Sequence, residues 1–408
     1  MADLLPAHCA VLVVGAGPAG SACARTLAQA GREVLLVDAQ PFPRDKTCGD
    51  CLIPDTFAAL SALGLQDRVM ARMSHATHAH CQGPHGGTLR IPGQLGVLRR
   101  RELDMILMEG AREAGALTAM PWRLVGLECR PSDGRVVGAR LRQGAVEQVI
   151  HADWVVLATG AAAAPLVLSG LCERRVPSAM VIRGYVQCEG LDLADTDLRF
   201  VWHPALSPGY GWIFPMGQGR YNVGVGVDSL QTRHPDINLR ALFDRFCEVH
   251  PIARELKQRG TWEGDLKGAP LRCDLDGAVW SRPGLLLAGE AVGSTYAFTG
   301  EGIGKALETG IAAARAITST QQVSGHDAAQ DDAAVMASHR LRLEALQPRY
   351  RLYRKAMQFN RWPWMIDLVI WRAQRSPRLV GLMADVLAER RMPDSLLSWR
   401  GIKRLVRG

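Results

Sequence analysis

Ala10–Gly20 reads AVLVVGAGPAG, a short apolar strand running straight into glycines, and Ser21–Gly31 continues as SACARTLAQAG in a helical pattern. A second apolar strand, Glu33–Val37, ends at Asp38. A strand, Gly-x-Gly-x-x-Gly, a helix and an acid about 20 residues further on form the dinucleotide fingerprint in its confirming context. The first glycine makes the tight turn, the second lets the backbone approach a diphosphate, and the third lets helix and strand pack. The diphosphate then sits on the helix amino terminus, where free N–H groups favour an anion, and Asp38 accepts from ribose hydroxyls. Gly15, Gly17, Ala19, Gly20 and Asp38 are the expected contacts. The motif alone does not separate FAD from NAD.

A chain of 408 residues, 48% hydrophobic, is long enough for one large domain or two to three modules with real cores. The amino terminus has no basic region before its apolar strand, so no secretory signal is expected. The most apolar late stretch, Trp362–Trp371, is shorter than the roughly 20 residues a bilayer requires and carries Asp367. The ten cysteines are scattered through the expected strands and helices, which suits reduced thiols in a cytoplasmic setting. Charge is uneven: residues 340–408 hold 16 of the 48 Lys/Arg but only 5 of the 40 Asp/Glu.

Five further stretches carry chemistry. Trp154–Gly160, WVVLATG, and Gly284–Gly304, GLLLAGEAVGSTYAFTGEGIG, each read as a strand leading into a small-residue turn. Arg100 begins RRELD, with Leu103 and Asp104, and Phe42–Asp50 reads FPRDKTCGD. Tyr210–Pro215, YGWIFP, precedes the alternating strand RYNVGVGV. Period two puts Tyr210, Trp212 and Phe214 on one face, where they line a cavity or fill the core.

Together these stretches resemble the geranylgeranyl reductase family, whose members share the aromatic-hydroxylase-like flavoprotein fold. The resemblance implies that FAD spans one chain from end to end. On it, Arg44 lies near the adenosine, Cys48 and Gly49 near the flavin ring, and Arg100 beside the cofactor. Gly160, Gly289 and Glu290 fall in the later FAD-contacting segments, with Glu290 at the ribityl or diphosphate region where the family usually has Asp. Gly300, Gly302 and Ile303 bring a helix amino terminus toward the flavin, where its dipole would stabilise negative charge. Before YGWIFP the family has a proline three residues ahead of the tyrosine; here Ser207 stands there and Pro208 follows. GYGWIFP also overlaps loosely with the Gly-Trp-x-Trp-x-Ile-Pro signature of flavin-dependent halogenases.

The pair Cys48-x-x-Cys51 admits three readings: a flavin-proximal loop, a redox pair or a metal clip. Zinc is disfavoured because no second Cys pair exists, and His75, His78 and His80 alternate as surface histidines commonly do. A redox pair normally opens a helix and has a lowered thiol pKa, whereas Pro54 and Asp55 place the helix start after this pair. No metal site is expected.

The expected fold class is α/β: a Rossmann-like FAD-binding domain with an inserted sheet-rich (α+β) substrate domain and a C-terminal helical tail. The expected boundaries are 1–75, 97–170 and 270–320 for the FAD domain, 76–96 and 171–269 for the substrate domain, and 321–408 for the tail. Residues 319–332, STQQVSGHDAAQDD, read as an exposed polar connector. The tail's interleaved Arg, Trp and Leu suit a helix lying in a bilayer interface, or a cap on the substrate domain. The charge could serve nucleic acid, but no nucleic-acid fold is recognisable and none is expected to bind.

The resemblance implies a reductase of carbon–carbon double bonds in a long apolar, isoprenoid-type substrate. Cys48 or Tyr210 would donate the proton and Trp212 would line the site. NAD(P)H, lacking a second fingerprint, or ferredoxin would serve as transient electron donor. A hydrophobic small molecule or lipid is the expected partner. The expected location is cytoplasmic, with peripheral contact at the inner membrane face left open. The alternatives are a flavin monooxygenase or halogenase on a hydrophobic substrate, and a membrane-associated electron-transfer flavoprotein.

Overall fold

The computed structural model describes residues 5–173, 176–191, 193–194, 196–228, 238–320 and 328–391. The apolar run His8–Val14 forms the central strand of the first sheet, pairing in parallel with Val34–Val37 on one side and Val146–Leu157 on the other. Leu117–Ala119 extends the sheet beyond Val34–Val37, and Leu285–Leu287 beyond Val146–Leu157, both in parallel. Both faces of Val11–Val14, Val34–Val37, Trp154–Leu157 and Leu285–Leu287 are buried, as parallel strands inside such a sheet require. Leu12, Val14, Val155 and Leu287 face one cluster, while Val13, Leu36, Val156 and Leu286 face another with Ala19, Cys23 and Leu27.

Chain order reverses at His8–Val14, so the crevice beyond its carboxyl end is where such sheets bind ligands. The register aligns Val14 with Leu157 and puts Gly15 beside Ala158. Two helices cover this end: Pro18–Gln29, and Ile303–Thr320, whose Gly310 lies against the Ala19 carbonyl.

The second sheet is largely antiparallel. Its spatial order runs Thr261–Trp262, Ala179–Gln187, Arg220–Asp228, Gly209–Pro215, Asp197–Val201, Ser74–Gln82, Thr88–Val97 and Cys51–Leu52, with Lys267–Leu271 also on Ala179–Gln187. One face packs on the helices Leu239–Val249 and Pro251–Arg259 through Phe243, Phe246 and Leu256. The Cys48–Cys51 loop bridges the sheets, since Cys51 and Leu52 pair with Val97 and Gly96.

The tail does more than cap the second sheet. Helix Ala328–Glu344 buries Val335 and Leu343 against the first sheet's two cores, and Tyr350 of helix Gln347–Arg361 donates to the Ser294 carbonyl at 2.6 Å. Ile366, Ile370 and Ala373 of helix Trp364–Ala373 then join the core of the second sheet. The expected connector is in part a helix: residues 328–332 open Ala328–Glu344, and Asp332 is buried in a bidentate pair with Arg135 at 2.7 and 2.9 Å. Residues 321–327 of that stretch, and 392–408 of the basic tail, lie outside the described residues. No helix among the described residues is long and apolar enough to cross a membrane.

Candidate functional site

The fingerprint folds into a cradle of bare backbone. Gly15 has φ +103°, and a Cβ there would fall 2.4 Å from the Ala158 carbonyl oxygen, so only glycine fits. Asp38 reaches back into the turn, its Oδ2 accepting from the Ala16 amide at 2.8 Å. Helix Pro18–Gln29 has no side-chain cap and no acid in its first turn, which leaves its first amides for an anion. Gly17 opens that end between two guanidinium groups: a Cβ there would sit 3.6 Å from Arg44 and 3.7 Å from Arg100. Gly20 and Gly289 do not line the cavity. Gly20 presses on the Gly15 carbonyl and Gly289 on Ala19, so both serve close packing.

The two arginines are held by a buried chain of charges. Arg44 bridges Asp38 at 3.3 Å and Asp104 at 3.1 Å, and Arg100 grips Asp104 bidentately at 2.7 and 2.9 Å. Arg100 is therefore a fixed, buried cation and not a solvated one. Burial works to lower its guanidinium, but Asp104 overrides this and holds it above the ordinary value.

A cavity of about 430 Å³ runs from this cradle, past Thr159, Gly160 and Glu290, to Gly300, Gly302 and Ile303 at the start of helix Ile303–Thr320. Glu290 Oε1 accepts from the Arg272 amide and the Thr295 hydroxyl, each at 3.2 Å. The bare helix end, the flanking cations, Asp38 and the cavity that runs from them fit FAD.

The loop Lys46–Asp50 forms one wall. Both thiols are free, and burial pushes Cys48 and Cys51 upward. That is opposite to the lowered value of a reactive redox pair. The helix starts after the pair, at Pro54–Ala62. Asp50 is the loop's anchor, fully buried at φ +61°. It accepts from Tyr185 Oη at 2.5 Å, Asn222 Nδ2 at 2.9 Å and the Arg100 amide at 3.2 Å. Burial pushes its carboxyl to about 6 even against these three donors. Among the described residues no group of three or more His, Cys, Asp or Glu could hold a metal.

A second wall, packed against that loop at Gly49, is aromatic. Tyr210, Trp212 and Phe214 share the cavity face of strand Gly209–Pro215, joined by Phe200, while Gly211 packs outward on Phe246. Trp212 is fixed by its indole donating to Asn222 Oδ1 at 2.9 Å. Tyr210 donates its hydroxyl to the Thr299 carbonyl, and burial pushes that phenol upward. Cys48, Tyr210 and Trp212 thus meet at one cavity with Arg44, Gly49 and Arg100.

Sequence reading passed over Asp50, Asn222 and the acid Glu301. Their signals were faint: a carboxylate between two cysteines, one amide in an otherwise apolar alternating strand, and an acid flanked by glycines.

Fold and cavity define an FAD-dependent oxidoreductase, and the comparisons agree. Residues 8–170 match the FAD binding domain model and 186–260 the geranylgeranyl reductase catalytic domain model. The menaquinone reductase of Mycolicibacterium smegmatis is 34% identical over 323 residues, 76% of each chain. Digeranylgeranylglycerophospholipid reductase 2 of Methanopyrus kandleri is 29% identical over 74% of each. Among solved structures, a geranylgeranyl bacteriochlorophyll reductase-like protein of Thermoplasma acidophilum superposes with TM-score 0.74 at 22% identity, covering 98% of this chain and 96% of its own. The flavin-dependent brominase Bmp2 gives 0.73 at 21%, covering 98% and 97%. The chain belongs to the geranylgeranyl reductase family of FAD-dependent oxidoreductases.

Proposed function

We propose that this chain saturates carbon–carbon double bonds in a long apolar, isoprenoid-type substrate. The observation that carries the reading is the aromatic wall, Phe200, Tyr210, Trp212 and Phe214, facing the same cavity that opens at the Gly17 cradle. FAD, when bound and reduced there, would supply a hydride to one alkene carbon. Arg44 and Arg100 would hold its diphosphate, Trp212 and Phe214 would exclude water and align the chain, and a protonated side chain would complete the addition. Cys48 and Tyr210 are candidates for that last role, because burial keeps the proton on each. Relatives named for menaquinone and for digeranylgeranylglycerophospholipid support a polyprenyl substrate. Electrons would come from NAD(P)H docking transiently, or from ferredoxin.

The tail supports access to a lipid-borne substrate. Trp364 and Trp371, seven residues apart on one face of helix Trp364–Ala373, are 56% and 46% exposed, and Trp362 is 49% exposed. Arg361 and Arg375 lie over Trp362 and Trp371. Such a face suits a headgroup boundary, with cations at lipid phosphates and indoles beneath them.

The test is anaerobic. The FAD-loaded protein is reduced, mixed with a geranylgeranylated lipid, and followed for flavin reoxidation and product mass. A gain of two hydrogens per reoxidation supports the reading, and Cys48→Ser and Tyr210→Phe then rank the proton donors. Reoxidation only on admitting air would replace it with an oxygen-using monooxygenase or halogenase.

A further inference from the structure

Three neighbouring side chains of the second sheet seat the Cys48–Asp50 segment, one from each of three strands. Tyr185, Asn222 and Phe214 stand side by side across Ala179–Gln187, Arg220–Asp228 and Gly209–Pro215, aligned by the register of these antiparallel pairs. Residues directly opposite in a ladder share a face of the sheet. Phe214 meets Gly49, where a Cβ would fall 3.2 Å from its ring. Tyr185 and Asn222 both donate to Asp50 Oδ2, at 2.5 and 2.9 Å. Asn222 Nδ2 also donates to the Cys48 carbonyl at 2.9 Å.

The other end of the same amide holds the aromatic wall. Asn222 Oδ1 accepts from the Trp212 indole, and that ring lies across Gly224, where a Cβ would fall 2.2 Å from its Cζ2. Asn222 is 0% exposed and its whole amide is engaged, the oxygen by the wall and both N–H groups by the loop. An indole N–H only donates and a peptide carbonyl only accepts, so the side chain between them must accept at one end and donate at the other. Leucine does neither, and aspartate would set a lone pair against the Cys48 carbonyl. An amide is otherwise ill suited to this buried strand, since it resists desolvation and asparagine is depleted from strands. Hydrogen bonds to two walls of one cavity offset that cost here.

Resting on the reductase reading, we propose that Asn222 is a positioning residue: it locks the Cys48–Gly49 segment to Trp212, so that a substrate chain lying on the wall keeps a fixed place relative to the loop. Cys48, Gly49, Trp212 and Phe214 line the cavity and Asn222 does not, so it acts through them. The cradle at Gly17 is held separately, by Asp104 on Arg44 and Arg100. Loss of Asn222 therefore loosens the loop against the wall and spares the cofactor end. A misplacement of about 1 Å between reacting groups costs on the order of 10²-fold in rate.

The test uses the FAD-loaded protein. Asn222→Leu should bind FAD as wild type does, and its reduced flavin should be reoxidised by ferricyanide at the wild-type rate. In anaerobic single turnover with a geranylgeranylated lipid, its limiting rate should fall about 10- to 100-fold while the half-saturating concentration stays near wild type. Trp212→Phe keeps a ring in the wall and cuts the link at its other end. The double variant should then be no slower than the slower single one, whereas independent contributions would multiply. Deuterium exchange needs no turnover and reads the link itself: residues 46–52 should exchange faster in both single variants, with residues 10–38 unchanged. Should Asn222→Leu fail to fold, exchange in Trp212→Phe decides. Unchanged exchange at residues 46–52, a wild-type limiting rate in Asn222→Leu, or effects that multiply would overturn the proposal. A wild type reoxidised by no polyprenyl alkene would sink the reductase reading, and the positioning role with it, whatever the exchange shows.

Discussion

Gly17→Ala separates cofactor binding from folding. Gly17 has φ −74° and ψ −172°, an extended conformation open to alanine, and the new methyl would meet Arg44 and Arg100 only at ordinary contact distances of 3.6 and 3.7 Å. Alanine is the poorer N-cap by about 0.5–1 kcal/mol, and the stiffer unfolded chain returns about 0.4–1 kcal/mol, so stability should barely move. The methyl instead projects between the guanidinium groups where a diphosphate would lie. Overpacking there costs about 1–3 kcal/mol, or about 5- to 150-fold in Kd. The assay is titration of the apoprotein with FAD by quenching of flavin fluorescence, alongside thermal unfolding of both apoproteins. Gly20→Ala is the contrast: its Cβ would fall 1.7 Å from the Gly15 carbonyl oxygen, so it should fail to fold or unfold at far lower temperature. A Gly17→Ala protein that binds FAD within twofold of wild type would refute a diphosphate at this helix end.

Asp50 should give stability a pH signature. Its folded value, about 6, lies above the ordinary carboxylate value near 3.9, so its contribution is full below about pH 4 and lost as pH rises through 6. Urea unfolding at pH 4.5 and 7.5 should show Asp50→Asn gaining on wild type by up to about 3 kcal/mol between them; a constant difference would count against the buried acid. Asp104→Ala strips the shared partner from Arg44 and Arg100 and should cost about 3–5 kcal/mol, where a loss below 1 kcal/mol would show the chain of charges to be dispensable. Trp364→Ala with Trp371→Ala should weaken sedimentation with anionic phosphatidylglycerol vesicles at least tenfold without altering FAD content; unchanged sedimentation would remove this face from membrane contact.

What the sequence disclosed is what lies close along the chain. The cradle is built from about 30 consecutive residues whose strand, turn and helix fix one another, and Gly15, Gly17 and Asp38 were readable for that reason. Tyr210, Trp212 and Phe214 were readable as one face because a strand alternates. Asp50 was not, since its environment comes from Tyr185, 135 residues away, and Asn222, 172 residues away. Asp332 looked like part of a solvated connector because nothing near it in sequence hints at Arg135, its partner 197 residues earlier. The buried Lys305 likewise gathers Asp55 and, through Glu389, Arg349, a meeting that local pattern cannot report.

The central parallel sheet also dictates when the molecule can become itself. Its strands end at residues 14, 37, 119, 157 and 287, so the first strand gains its Val146–Leu157 neighbour only after more than a hundred residues have followed, and the outer Leu285–Leu287 much later still. At ribosomal speeds of about 5–20 residues per second, roughly 15–55 s separate synthesis of the first strand from synthesis of the last. Through that interval the apolar face meant for Leu285–Leu287 and helix Ile303–Thr320 has no cover, and the crevice lacks Glu290 and Glu301. The cavity, which needs Gly17 and Glu290 together, is therefore complete only near the end of synthesis.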